Sequence, residues 1–223
     1  DAIGGVPEER TPMNVQCTGT RDRGAFAIEK LIYESLPEFY VTAALYIPKG
    51  IESPQPAVVF VHGHSDSGKS YPVYQAVCVD LANNGFVVLA VDPPGQGERF
   101  QYFDPETGKR VIGGCTTEHT YAGLQFTLSG ASVGRHFIWD VMRGIDYLET
   151  RPEVDMTRIG LTGNSGGGTQ SCLLMMSEPR FAAAVPSLPL WTATKAVLAS
   201  IGIVAAVSAA SQRPSAAAAG VVG

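Results

Sequence analysis

The 223-residue sequence lacks several features that would assign it to common protein classes. None of its four cysteines lies in a C-x-x-C pair, which argues against a zinc ribbon or a dithiol redox motif: Cys17, Cys78, Cys115 and Cys172. Sixteen Lys and Arg stand against 21 Asp and Glu, so the net charge of −5 offers no basic surface to nucleic acid or an anionic membrane. No signal peptide and no uncharged apolar run of membrane-spanning length is present. These features do not determine the cellular compartment, and they are compatible with a secreted or periplasmic location.

Acidic residues and histidines are missing from the end of the sequence. Residues 179–223 contain no Asp, Glu or His, and residues 190–223 are rich in alanine and close to low complexity. We therefore expect three segments: a loose lead-in over 1–24, a folded domain over 25–189 and an alanine-rich tail over 190–223. The sequence gives no indication of the oligomeric state.

The folded domain is predicted to alternate strands with helices. Runs rich in β-branched and aromatic residues at 26–35 and 39–48 flank a short turn and predict an antiparallel hairpin. Continuous apolar runs at 57–61, 86–91 and 158–162 are typical of strands buried on both faces, and 181–185 is a candidate fourth strand. Helices are predicted over 71–83, 132–150 and 169–176, with a long loop over 93–118. This order favours an α/β fold with a mostly parallel sheet and helices on both faces.

One short motif carries the strongest functional signal. Gly163-Asn164-Ser165-Gly166-Gly167 fits G-x-S-x-G between a predicted strand and a predicted helix, which is the context of a nucleophile elbow. The turn is tight, so a side chain two residues to either side of Ser165 would collide with it. The following helix directs free N–H groups at developing negative charge. Ser165 is therefore the candidate nucleophile, with the Gly166 N–H as one oxyanion donor.

A second oxyanion donor is expected from the loop after the first buried strand. Val61-His62-Gly63-His64-Ser65 occupies that place, and the backbone N–H of His64 is our candidate donor. This role uses the main chain and does not depend on the state of the imidazole. We expect the His62 imidazole to hydrogen-bond the loop.

The same loop also fits a different class of protein. Residues 63–70 match G-x-x-x-x-G-K-S, the pattern of a phosphate-binding P-loop, and residues 86–92 resemble the partner strand that such proteins carry. Three features weigh against this interpretation. Positions 69 and 92 are only 23 residues apart, no N-K-x-D motif occurs, and Pro72 falls in the first turn of the next helix. A P-loop NTPase using Gly63–Ser70 is kept as an alternative.

With the elbow and both loops identified, the sequence resembles the acetyl xylan esterase-like branch of the α/β-hydrolases, related to cephalosporin-C deacetylases and prolyl-oligopeptidase-type hydrolases. The matching segments are F-Y-V-T-A-A-L-Y-I-P-K-G (39–50), V-V-F-V-H-G-H (58–64), V-D-P-P-G-Q-G-E-R (91–99) and R-P-E-V-D-M-T-R-I-G-L-T-G-N-S-G-G-G-T-Q (151–170), with 116–123 and 135–148 in addition. The resemblance covers roughly residues 18–189. It implies an α/β-hydrolase fold and a serine esterase that acts on small-molecule or carbohydrate esters, often acetyl esters, without a cofactor or metal.

The sequence departs from this family after the nucleophile. In this fold an Asp or Glu and then a His follow the serine, but here the acid that follows is Glu178, and all four histidines precede Ser165: His62, His64, His119 and His136. We therefore expect the final strands and two triad members to be missing through truncation or a frameshift, and activity to be weak or absent. His119 and His136 are the remaining candidates for a base that would replace the missing histidine. A non-catalytic hydrolase-fold binding or relic protein is a further alternative.

Overall fold

The computed structural model describes residues 3–187, which form one mixed sheet flanked by helices. The strands are β1 (Gln16–Asp22), β2 (Phe26–Leu36), β3 (Phe39–Pro48), β4 (Gln55–Val61), β5 (Val87–Val91), β6 (Val154–Asn164) and β7 (Phe181–Ser187). The α-helices are α1 (Pro72–Asn83), α2 (Thr116–Leu128), α3 (Val133–Glu149) and α4 (Gly166–Ser177), and a 3₁₀ turn covers Gly68–Ser70. The expected tail over 190–223 lies outside the described residues.

The sheet has the strand order β1-β2-β3-β5-β4-β6-β7. The pairs β1–β2, β2–β3 and β3–β5 are antiparallel, whereas β4–β5, β4–β6 and β6–β7 are parallel. The predicted hairpin is confirmed, with Phe26 opposite Pro48 and Tyr33 opposite Val41. Within the described range the sheet is thus half parallel rather than mostly parallel, because the hairpin extends it and gains a further strand at its outer edge.

That further strand, β1, lies inside the segment expected to be a loose lead-in. Residues 16–22 pair with β2 along most of their length and are almost entirely exposed. An edge strand that buries no apolar face leaves no alternation in the sequence, so the hydrophobic pattern could not reveal it. The expectation of a loose segment is wrong for these residues.

The core lies on both faces of the sheet, as expected for helices that cover each side. One apolar cluster joins α3 and α4 to the sheet, with Ile138, Ile145 and Leu174 among its fully buried members. The other joins α1 to the opposite face through Val77 and Leu81. The central strand β5 is buried along its whole length, which explains its uninterrupted apolar sequence.

Helix α3 confirms the helix predicted over 132–150. The Ser132 hydroxyl accepts a hydrogen bond from the Gly134 N–H and caps the helix. Asp140 and Arg143 are buried although both side chains are charged. The Asp140 carboxylate pairs with the Arg99 guanidinium at 2.7 Å, a partner that a helical projection does not reveal.

The long polar segment after β5 ends in a helix that was not predicted. Its N-terminal part is fixed by Arg99, whose side chain donates to the Tyr40 and Asp92 carbonyls as well as to Asp140. Helix α2 follows and has few buried residues, with Leu124 and Leu128 exposed. Because α2 has no apolar stripe, the hydrophobic periodicity of the sequence did not distinguish this helix from the preceding loop. No helix in the described range is long and apolar enough to cross a membrane.

Candidate active site

The strand-to-helix turn around Ser165 has the geometry of a nucleophile elbow. Strand β6 ends at Asn164, helix α4 begins at Gly166, and Ser165 joins them with φ 54° and ψ −119°. A non-glycine residue with positive φ is strained, and such strain persists only where the surrounding structure enforces it. Here the Ser165 N–H donates to the Ser187 carbonyl at 2.8 Å, and its own carbonyl accepts from the Thr169 N–H. The turn is thus held between β7 and α4.

The glycines two residues before and after Ser165 are required by space. A Cβ at Gly163 would overlap the Val61 carbonyl oxygen and approach the Gly167 oxygen to 2.6 Å. A Cβ at Gly167 would overlap the same Val61 oxygen. The collision expected from the sequence motif therefore has a specific partner, the last residue of β4.

The loop that follows β4 lies directly against the elbow. A Cβ at Gly63 would come within 3.1 Å of the Ser165 Cβ and 2.9 Å of the Asn164 carbonyl oxygen. The Asn164 side-chain oxygen accepts from the Gly63 N–H at 3.2 Å and ties the loop to the end of β6. Ser165 and the Gly63–Ser65 loop are therefore neighbours, as the sequence predicted.

The main-chain N–H groups of this loop differ in whether they already have a hydrogen-bond acceptor. The Gly63 N–H is bound by Asn164, and the Ser65 N–H donates to the Gln96 side-chain oxygen at 2.6 Å. The His64 N–H, between them, donates to no group within residues 3–187, and neither does the Gly166 N–H at the start of α4. These are the two N–H groups that the sequence predicts as oxyanion donors.

Beneath the loop a buried polar cluster holds it to the sheet. The Asp92 carboxylate accepts from the His62 imidazole at 3.1 Å, the Thr42 hydroxyl at 2.8 Å and the Lys69 N–H at 2.7 Å. Burial by itself raises the pKa of Asp92, but the His62 hydrogen bond and the Lys69 charge lower it to about 2. The carboxylate thus ties the loop that carries Lys69 to strand β3, on which Thr42 lies.

The same cluster accounts for Lys69 and Asp92, the two residues that suggested a P-loop. The Lys69 ammonium group lies 2.5 Å from Asp92 and 2.7 Å from Glu98, and its side chain is only 10 % exposed. The lysine that would have to bind a phosphate in a P-loop is therefore already paired with two carboxylates. The structure gives no support to the P-loop alternative for Gly63–Ser70.

Two imidazoles meet beside the elbow. His64 Nε2 lies 3.2 Å from His119 Nδ1, and His119 Nε2 lies 2.8 Å from the Pro94 carbonyl oxygen. The His64 ring rests on Gly166, where a Cβ would meet its Cε1 at 2.6 Å and its Nδ1 at 2.8 Å. Burial and the charge of His62 lower the pKa of His64, and burial also lowers that of His119. Both rings are thus uncharged at neutral pH.

The other candidate base, His136, belongs to the packing of the domain. Its ring lies 5.3 Å from the Phe39 ring and 4.4 Å from the Phe126 ring. Within the described residues, no imidazole hydrogen-bonds the Ser165 hydroxyl. No group of three or more potential metal ligands occurs there either.

Cys115 has almost the same backbone conformation as Ser165, with φ 51° and ψ −121° at the start of α2. Its thiol donates to the Asp66 carboxylate at 3.1 Å, and burial together with Asp66 raises its pKa to about 12. A thiol held protonated by a carboxylate is a poor nucleophile. The strained conformation at Cys115 therefore secures a loop, unlike that at Ser165.

The fold and the elbow define an α/β-hydrolase. The model of the acetyl xylan esterase (AXE1) family matches residues 20–200, and the chain belongs to that family. It is 29% identical over 181 residues to a protein of Bacillus subtilis (strain 168) named as a hydrolase, YtaP, covering 74% of this chain and 54% of that protein.

Solved structures of this type have the same fold. Acetyl xylan esterase 1 from Thermoanaerobacterium sp. JW/SL YS485 is similar with a TM-score of 0.63 and 24% identity, covering 84% of this chain and 56% of that one. A protein of Bacteroides fragilis NCTC 9343 described as an acetyl xylan esterase has a TM-score of 0.66 and 21% identity, covering 82% and 49%. The chain therefore spans about half the length of the relatives it matches.

Proposed function

We propose that this chain carries the nucleophile half of a serine carboxylic-ester hydrolase, with Ser165 as nucleophile and acetyl esters of carbohydrates or small alcohols as substrates. The observation that carries the proposal is the strained conformation of Ser165 between β6 and α4, enforced by glycines that no side chain could replace. Such strain clusters at active sites, and the Ser165 hydroxyl, unlike the Cys115 thiol that donates to Asp66, forms no hydrogen bond within residues 3–187. The family to which the chain belongs supports the substrate class.

In the proposed mechanism the Ser165 oxygen attacks the ester carbonyl, the bond to the alcohol oxygen breaks, and the alcohol leaves with the proton that the serine gives up. Water then hydrolyses the acyl-enzyme, which releases the acid and restores Ser165. The carbonyl oxygen becomes negatively charged in the tetrahedral intermediate, and the N–H groups of Gly166 and His64 would stabilise it. Their hydrogen-bonding capacity is unused within the described residues, so they are preorganised for this role. The reaction calls for no cofactor or metal.

A serine hydroxyl also needs a base to take its proton. Among residues 3–187 no imidazole hydrogen-bonds Ser165, and all four histidines of the sequence precede it. We therefore propose that this 223-residue chain turns over esters slowly, with the acceleration of roughly 10³–10⁴-fold over water that a serine hydrolase retains without an intact triad.

The test is acetate release from acetylated xylo-oligosaccharides and from 4-nitrophenyl acetate, with Ser165→Ala as the matched control. Release about 10³–10⁴-fold above the uncatalysed rate, with an acetyl group found on Ser165 by mass spectrometry and absent from Ser165→Ala, supports the proposal. Release at the uncatalysed rate by both proteins, with no acetyl group on Ser165, contradicts it and favours a non-catalytic hydrolase-fold protein. Release at ordinary enzyme rates that depends on Ser165 contradicts the incomplete triad and points to a base upstream.

A further inference from the structure

The hydrogen bonds between His64 and His119 fix which nitrogens of the two rings carry protons. The Pro94 carbonyl can only accept, so the His119 Nε2 that lies 2.8 Å from it must be protonated. A neutral imidazole carries one N–H, and His119 Nδ1 is therefore an acceptor. His64 Nε2, 3.2 Å away, must then donate to it.

This arrangement of protons determines the protonation of the other His64 nitrogen, Nδ1. Because its Nε2 carries the proton, its Nδ1 is left as an unprotonated acceptor. Within residues 3–187 this nitrogen has no hydrogen-bond partner, and the His64 side chain is exposed. The ring is seated on Gly166, whose missing side chain provides the room.

This acceptor lies next to the place where an ester carbonyl would bind. Gly166 supplies a candidate oxyanion N–H and also supports the ring that carries Nδ1. A carbonyl oxygen on the Gly166 N–H therefore brings the neighbouring atoms of the ester to His64. What an unprotonated nitrogen recognises there is an O–H or N–H donor.

We propose that His64 Nδ1 is a substrate-binding acceptor that selects esters whose alcohol carries a free hydroxyl beside the ester oxygen, as in partly acylated sugars and other polyols. His119 is the positioning residue, because its bond to Pro94 fixes the tautomer. The inference rests on the proposed function for the location of the carbonyl. It is separate from the role of the His64 main chain, which any residue at position 64 except proline could fill.

The experiment compares two ligands that differ by one hydroxyl, trans-2-acetoxycyclohexanol and cyclohexyl acetate. Binding is measured by NMR titration of the full chain carrying Ser165→Ala, with the histidine rings labelled with ¹⁵N. We expect the hydroxyl ester to bind roughly three- to tenfold more tightly, which corresponds to one hydrogen bond. Its binding should also shift the His64 Nδ1 resonance.

Two further variants isolate the acceptor. His64→Ala keeps the backbone donor and removes the ring, and we expect the two ligands then to bind equally. His119→Leu releases the tautomer, so the preference should shrink without vanishing. Equal affinities before the mutation, no binding of either ligand, or a preference that survives His64→Ala would overturn the proposal. Covalent labelling of the wild-type chain tests separately whether Ser165 is a nucleophile. The claim about Ser165 and the claim about His64 can therefore fail independently.

Discussion

The α-carbon of Gly167 lies so close to the Val61 carbonyl that any side chain at position 167 would overlap the oxygen. Val61 ends β4 and Gly167 lies in the first turn of α4. Val61 also pairs with Gly163 at the end of β6, so the carboxyl ends of both strands meet at this point. The contact couples the Ser165 elbow to the loop that carries His64, and it gives the elbow glycines a mechanical role that can be measured.

Alanine at either elbow glycine should destabilise the domain. We expect Gly163→Ala and Gly167→Ala each to lower the free energy of unfolding by about 2–3 kcal/mol, because the new methyl group forces the backbone apart. Urea denaturation followed by circular dichroism measures the change. The matched control is Gly123→Ala in α2, where a Cβ would meet only Val133 Cγ1 at 4.0 Å. That variant should gain about 0.5–1 kcal/mol, and equal losses in all three would contradict the account.

The buried Asp92 carboxylate should contribute strongly to stability at neutral pH. We expect Asp92→Asn to lower the free energy of unfolding by about 3 kcal/mol, because it leaves the buried end of Lys69 and the His62 ring without their charged partner. Asp80→Asn is the control, since Asp80 is an exposed residue of α1 whose carboxylate forms no ion pair within the described residues. It should change stability by less than about 0.5 kcal/mol.

The Asp92 contribution should also disappear in acid. The folded-state pKa is lowered to about 2 from an ordinary value of 3.8, so the stabilisation is complete above about pH 4. It is lost as the pH falls from about 4 to about 2, when the folded protein also takes up the proton. The stability difference between wild type and Asp92→Asn should shrink across that interval, and a constant difference would show that the charge is unimportant.

Nucleotides should not bind to the loop that resembles a P-loop. Asp92 and Glu98 hold the Lys69 ammonium group, and the same carboxylates would repel phosphate. Calorimetric titration with ATP or GTP and magnesium should therefore give no saturable signal. Micromolar binding that Lys69→Ala abolishes would refute the hydrolase interpretation of this loop.

The cysteines should differ in reactivity. The pKa of Cys115 is raised to about 12 by burial and by Asp66, whereas Cys17 is exposed on β1. Since alkylation requires the thiolate, iodoacetamide at pH 8 should modify Cys17 at least about tenfold faster than Cys115. Peptide mass spectrometry over a time course measures both rates in one sample. Asp66→Asn should accelerate Cys115, and a Cys115 that reacts first would contradict its assignment as a structural residue.

The sequence predicted those parts of the molecule that depend on local pattern. The elbow glycines and the buried strands each follow from a short motif or a run of apolar residues. Strand β1 and helix α2 were missed because neither buries an apolar face. The contact between His64 and His119 joins residues 55 positions apart, and Asp92 meets Thr42 across 50 positions. Such pairs arise from the order of the strands, which no local pattern encodes.

The central claim is that Ser165 is the nucleophile, and covalent trapping tests it most directly. A fluorophosphonate adduct is stable and accumulates over hours, so the probe also reports a partly buried elbow serine that attacks slowly, with oxyanion donors beside it but without a base. The folded wild-type chain should be labelled preferentially at Ser165, as located by peptide mass spectrometry, and the label should be absent from Ser165→Ala. Urea-unfolded chain should show no preference among its serines. Labelling spread over many serines of the folded chain, or equal labelling of Ser165→Ala, would contradict the account.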